Sequence, residues 1–317
     1  MPANQETMNI AIIGPGAIGC LFGGMLSRAG HEVWLLARQP DRAKILARRG
    51  IWISGVTGEF NARVHATTSA RDVPGARLVI IAVKSYDTAD AAQTASLLLA
   101  PDTTILTLQN GLGNLETLQQ ALGENRVIAG VTSQAATLLA PGQVHHAGQG
   151  ATIIGEPGGQ LTERLTQITE AFSASGIHAE LTTNLHSVLW GKLVINAGIN
   201  PIAALAQVRN GSILESKSLR QLLRAAVTEA VEVARAKRIP LPHPDLPAYA
   251  EEICQRTADN VNSMLQDIRR QRRTEIDAIN GAVVQQGQAA GVPTPINEAL
   301  WNLIRGLEET YPARAAY

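Results

Sequence analysis

Apolar positions along this chain follow two rhythms in succession. Through about residue 183, short apolar runs alternate with stretches whose apolar residues recur at helical spacing. Residues 10–13 precede a helix over 17–29 and a second run at 33–37. Residues 78–83 precede a helix near 87–99, 104–108 precede one near 115–122, and 127–131 follow. Apolar runs this short suit strands covered on both faces, and strands alternating with helices build a doubly wound, mostly parallel sheet. Residues 135–139 and 143–146 flank Pro141-Gly142, a hairpin signal, and 152–154 are expected to extend the same sheet. Past Thr183 the strand signals stop. Helical patterns then run over 185–197, 219–238, 248–265, 275–290 and 296–307, with a proline-rich loop at 240–247. The pattern predicts an α/β domain over residues 1–183 and an all-α domain over 184–317.

The first of those apolar runs ends in Gly14-Pro15-Gly16-Ala17-Ile18-Gly19. A glycine motif alone is weak, and an ordinary glycine-rich turn reads the same way. Here a strand precedes it and a helix and second strand follow, which is the βαβ context of a Rossmann dinucleotide site. Gly14 suits the tight turn, Gly16 close approach of a pyrophosphate, and Gly19 packing of helix on strand, while the helix N-terminus faces the anion. At the end of the second strand, where an acidic residue would accept a ribose 2′-hydroxyl, stands Arg38, with Arg42 and Lys44 close behind. A guanidinium fork matches a 2′-phosphate, so the expected cofactor is NADPH; a solvated arginine at a strand end is the plainer alternative.

Composition narrows the function. The 317 residues are 45% hydrophobic, enough for two cored domains. Lys and Arg (27) balance Asp and Glu (27), and aromatics are 3%, which leaves neither a basic footprint nor a stacking platform for nucleic acid. Cys20 and Cys254 stand far apart, outside any metal-ligand spacing, so no metal site and a reduced, cytoplasmic setting are expected. Residues 1–8 are polar, read as a disordered tail without signal-peptide order, and no apolar run approaches the ~20 residues of a membrane span. The long amphipathic segments are sufficient to bury a homodimer face, although no heptad seam marks one.

Three clusters carry candidate chemistry. In the segment from Lys192 to Asn200, steps of four put Lys192, Asn196 and Asn200 on one polar stripe of an otherwise apolar helix. Burying an ammonium and amides without partners costs several kcal/mol, so a ligand is a natural partner. Alternatively Lys192 snorkels, Asn196 bonds a neighbouring helix, and Asn200 caps a new helix at Pro201. A second cluster runs from Asn260 through Ser263 and Asp267 to Thr274, Glu275, Asp277 and Asn280; alone it reads as a polar helix, a basic stretch and a capped helix start. The third is Lys84 and Asn110-Gly111 at strand ends, where α/β sheets bind ligands and where turn residues also sit.

Taken together, Gly14 to Gly19, Val83-Lys84, Gln109-Asn110-Gly111, Trp190 through Lys192, Asn196 and Asn200 to Pro201, and Ser263 to Asp267 leading to Thr274–Gly281 resemble the ketopantoate reductases (2-dehydropantoate 2-reductases) over nearly the whole chain. The resemblance implies an N-terminal Rossmann domain, a helical C-terminal domain with the site in the cleft between them, and NADPH-dependent reduction of 2-dehydropantoate to pantoate in pantothenate and coenzyme A synthesis. It makes Lys192 the general acid and assigns Asn110, Asn196, Asn200, Ser263 and Glu275 to substrate contact or site organisation, with Lys84 close to cofactor and substrate. Hydride arriving at a keto carbon leaves an alkoxide that needs a cationic donor, and a lysine near its ordinary pKa of about 10.4 meets that need. Glu275 either binds the substrate hydroxyl or orients Lys192. Two alternatives share these motifs: a reductase of another 2-keto or 3-hydroxy acid, and a non-catalytic NADPH sensor, against which Lys192 and Glu275 count.

Overall fold

The structure, a computed structural model, describes residues 7–313. It divides into two compact units: one holds the residues up to Gln109 together with Asn114–Leu185, the other Asn110–Gly113 together with the residues from His186 onward.

The first unit runs β1 (Asn9–Ile13), α1 (Ala17–Arg28), β2 (Glu32–Leu36), α2 (Pro40–Arg49), β3 (Ile51–Gly55), β4 (Phe60–Ala62), β5 (His65–Thr67), β6 (Leu78–Ile81), α3 (Thr88–Ser96), β7 (Thr104–Thr107), α4 (Asn114–Leu122), β8 (Val127–Thr132), β9 (Ala135–Ala140), β10 (Gln143–Gly148), β11 (Thr152–Gly155), α5 (Glu163–Ala174) and β12 (Ala179–Thr182). Eight strands form the main sheet in the order β12-β11-β8-β7-β6-β1-β2-β5. All its pairings are parallel except β11 against β8. Strand β1 is central, and Ile10, Ala11 and Ile12 are wholly buried, as a strand covered on both faces requires. The chain leaves β1 toward β2 on one side and reaches β6 on the other, so the glycine turn sits at the topological switch point.

One expectation about strands and one about the N-terminus need correction. The hairpin β9–β10 does not join the main sheet: it belongs to a second, four-stranded sheet ordered β4-β3-β10-β9, and β11 alone returns to the first. Alternation explains this. Ile51 and Ile53 of β3 and Val144 and His146 of β10 are buried while Trp52, Gln143 and His145 face solvent, so this sheet has one apolar face and lays it on α1. The packing is close enough that a Cβ on Gly24 would meet Ile53 at 2.5 Å. The expected N-terminal tail lies partly outside the described residues, but Met8 is buried in the core and its amide donates to His31 Nδ1 at 3.2 Å.

The second unit contains α6 (Leu185–Ala206), α7 (Ser212–Glu215), α8 (Lys217–Ala236), α9 (Leu246–Arg256), α10 (Ser263–Arg269), α11 (Asn280–Ala290) and α12 (Pro295–Glu309), around a core that includes Val194, Ala197, Val227 and Val283. The single helix expected over 248–265 is two, because the chain turns after Thr257 and Asn262 starts α10 by accepting the Leu265 amide at 3.0 Å. The helix expected from 275 begins instead at Asn280, after a short 3₁₀ turn over Ile276–Ala278.

Helix α6 does not end at Asn200, nor does a new helix start at Pro201. It runs through the proline. Pro201 has no N–H for the carbonyl four residues earlier, that of Ala197, and a helix interior normally breaks there. Asn280 replaces the missing donor: its Nδ2, on a wholly buried side chain, bonds Ala197 O at 2.9 Å and Asn297 Oδ1 at 3.0 Å. By length and mean hydropathy (1.4) α6 also meets the requirement for crossing a membrane, yet 67% of that stretch is buried within the fold, as befits a core helix.

Candidate functional site

At the carboxyl end of β1 the chain turns through Gly14 at φ +97°, where a Cβ would lie 2.7 Å from the Val83 amide nitrogen; only glycine fits. A Cβ on Gly19 would meet Gly14 O at 2.2 Å, so this glycine lets α1 seat on the turn. Gly16 differs. A Cβ there would have no neighbour nearer than 4.0 Å, and the space in front of it is open. Gly16, Ala17 and Ile18 are partly exposed, and α1 begins at Gly16 with no side chain capping its first amides. A backbone approachable at Gly16, with uncapped helix amides beside it, fits a dinucleotide pyrophosphate.

Two side chains hold this turn from below. Cys20 Sγ donates to Pro15 O at 3.2 Å, and the half-buried Arg42 donates to the same carbonyl through Nη2. Burial raises the Cys20 thiol to about 12, so it stays protonated as a donor, and it is not a nucleophile. Arg38 stands exposed just past β2, its Nη2 2.9 Å from Asp87 Oδ1. Lys84, half-buried, follows β6, beside the turn in sheet order. Its backbone is fixed by the buried Gln109, whose Nε2 donates to Val83 O at 3.1 Å and to Thr88 Oγ1 at 2.8 Å while its Oε1 accepts from Thr107 Oγ1 at 3.0 Å.

In the helical unit, Asn110, Lys192 and Glu275 come together from three distant parts of the sequence. Asn110 Nδ2 donates to Glu275 Oε2 at 3.1 Å. The backbone explains the meeting: Leu112 N donates to Ala278 O at 2.9 Å, and Gly111, at φ +83°, lies so near that a Cβ would fall 2.3 Å from that oxygen. Glu275 is 6% exposed, and its segment is pinned where Thr274 Oγ1 accepts the Ile276 amide and Trp301 Nε1 donates to Asp277 at 2.8 Å. Burial lowers the Lys192 ammonium from 10.5 to about 8, opposed by the charge of Glu275. The expectation of a nearly ordinary lysine pKa is therefore corrected. Low-dielectric surroundings dominate over the single carboxylate.

Asn196 and Asn200 follow Lys192 on α6. Asn196 is half-buried; Asn200 is 6% exposed, and its side chain has no hydrogen-bond partner among the described residues. A buried amide left this way is suited to a ligand. Ser263 is exposed at the first position of α10, its hydroxyl likewise without a protein partner among the described residues. The sequence analysis names two supporting residues, Gln109 and Arg42, without the supporting role the structure gives each. Gln109 was readable as a lone polar residue ending an apolar strand; the contact of Arg42 with Pro15, 27 positions earlier, has no local signal.

Two family models, described as ketopantoate reductase PanE/ApbA and its C-terminal part, match residues 10–159 and 184–308. The 2-dehydropantoate 2-reductase of Pyrococcus horikoshii is 37% identical over 303 residues, 95% of this chain and 98% of its own. Among solved structures, a PanE/ApbA family ketopantoate reductase from Ralstonia eutropha JMP134 superposes with TM-score 0.88 at 34% identity, covering 96% of this chain and 99% of that one. A D-mandelate dehydrogenase solved with NADH and anilino(oxo)acetate gives 0.89 at 28% identity, again over 96% and 99%.

Proposed function

This chain belongs to the ketopantoate reductase family, oxidoreductases that use a nicotinamide cofactor, and on that premise we propose that it reduces 2-dehydropantoate to pantoate with NADPH, Lys192 being the proton donor. The observation that carries the reading is the grouping of the half-buried Lys192 and Asn110 with the buried Glu275, Lys192 lying on a helix whose next polar residues, Asn196 and Asn200, leave their amides to a ligand.

When bound, a nicotinamide cofactor would supply hydride to the keto carbon. Negative charge then develops on the keto oxygen, and the Lys192 ammonium stabilises it and transfers a proton from Nζ. With a pKa of about 8, about nine in ten Lys192 side chains are protonated at pH 7, and each is a stronger acid than an ordinary lysine. Glu275 keeps that pKa from falling further and is itself held by Asn110. Asn196, Asn200 and Ser263 bind the substrate carboxylate and hydroxyl through amide and hydroxyl donors. Gly14 to Gly19 and Lys84 hold the dinucleotide, and Arg38 pairs with its 2′-phosphate, favouring NADPH.

The neighbour bound to NADH and an oxo-acid derivative raises a second reading, reduction of an aryl 2-keto acid. Steady-state kcat/KM with NADPH for 2-dehydropantoate, 2-oxo-2-phenylacetate and pyruvate separates the two. The proposed function requires 2-dehydropantoate to lead by at least about tenfold, a gap that ordinary pocket discrimination can supply; leadership by the aryl acid would overturn it.

A further inference from the structure

Arg38 and Asp87 lie on opposite sides of the glycine turn. Arg38 stands two residues past β2 and Asp87 lies in the turn between β6 and α3, and β2 and β6 are the two neighbours of β1 in the sheet. Their 2.9 Å ion pair therefore bridges the strands that flank the turn where the dinucleotide backbone is expected. The guanidinium is 68% exposed and the carboxylate 23%, and Asp90 lies within electrostatic reach of the same guanidinium.

We propose that Asp87 sets the cofactor preference by holding Arg38, weakening NADPH relative to NADH. This rests on reading Arg38 as the 2′-phosphate contact. Both two-pronged faces of a guanidinium use one shared terminal nitrogen, and Nη2, which Asp87 engages, is that atom. An arriving 2′-phosphate either displaces the carboxylate, losing the ion pair, or takes the other face and leaves two anions across one guanidinium. Both routes weaken NADPH. The uncharged 2′-hydroxyl of NADH meets neither penalty, and a carboxylate at this place can accept its hydrogen bond. Asp87 is thus a specificity-determining residue, and the preference supplied by Arg38 is smaller than an unpaired arginine would give.

The test is calorimetric titration of the full-length protein with NADPH and with NADH, in the native chain, Asp87→Asn, Arg38→Ala and the double variant. Asparagine is as good as aspartate ahead of α3, whose start receives no side-chain hydrogen bond from Asp87, so folding should be preserved. Asp87→Asn is expected to tighten NADPH about two- to fivefold, the range of an exposed ion pair, and to leave NADH unchanged or weaker. In the Arg38→Ala background the same change should give less than half that effect. An unchanged or lower NADPH preference in Asp87→Asn, with Arg38→Ala still collapsing the preference, overturns the role of Asp87 alone. An Arg38→Ala protein whose preference is intact overturns the reading of Arg38 itself, and the role of Asp87 with it.

Discussion

Lys192 carries its charge in surroundings that disfavour it, and the working pH range follows from that. Its pKa of about 8 means that the general acid is lost as pH rises through 8, so kcat/KM for keto reduction should fall about tenfold per unit above that point. Because the negative charge of Glu275 raises the lysine pKa, removing it has a definite sign: Glu275→Gln should move the alkaline limb to lower pH. A pH–rate profile of both proteins decides this. A limb unmoved in Glu275→Gln would confine Glu275 to substrate binding. At this scale the sequence was informative where the requirement is local. Gly14 and Gly19 are demanded by one turn, and Lys192, Asn196 and Asn200 declare themselves by a four-residue step. It was silent where partners are remote, as with Asn110 and Glu275, 165 positions apart, and it could not weigh burial against charge at Lys192.

Helix α6 shows how an element can depend on another for its continuity. Pro201 leaves the Ala197 carbonyl without a helical donor, and Asn280 at the start of α11 supplies one from a wholly buried side chain. Asn280→Ala should therefore destabilise the fold by about 1–3 kcal/mol in urea unfolding, the usual cost of stranding buried hydrogen-bonding groups. In a Pro201→Ala background, where the helical N–H is restored, the same substitution should lose distinctly less; equal losses in both backgrounds would dissociate Asn280 from the proline. Reading α6 onward past Asn200 needed this long-range bond, which is why a helix boundary at Pro201 looked reasonable from sequence. The second sheet escaped notice for a related reason. Strands β3 and β4 are short and carry Gly55 and Asn61, and β3 pairs with β10 some 90 residues later.

Across the molecule the two units have separate apolar cores, and each holds a different part of the proposed chemistry. The α/β unit offers an open glycine turn, Lys84 and the Arg38–Asp87 pair; the helical unit offers Lys192, Glu275, Asn110 and Asn200. The alternation of strand and helix in the first half and unbroken helical periodicity in the second were legible because each follows from local burial. The inclusion of Asn110–Gly113 in the helical unit was not, since it is set by backbone packing against Ala278. The central claim is that this chain reduces a keto acid with Lys192 as proton donor. Its most direct test is the turnover number of Lys192→Ala for 2-dehydropantoate with NADPH, measured beside its NADPH dissociation constant. The account predicts a fall of about 10²- to 10⁴-fold in kcat with NADPH affinity within about twofold of the native value. A normally folded Lys192→Ala protein that keeps more than about a tenth of native turnover would contradict it.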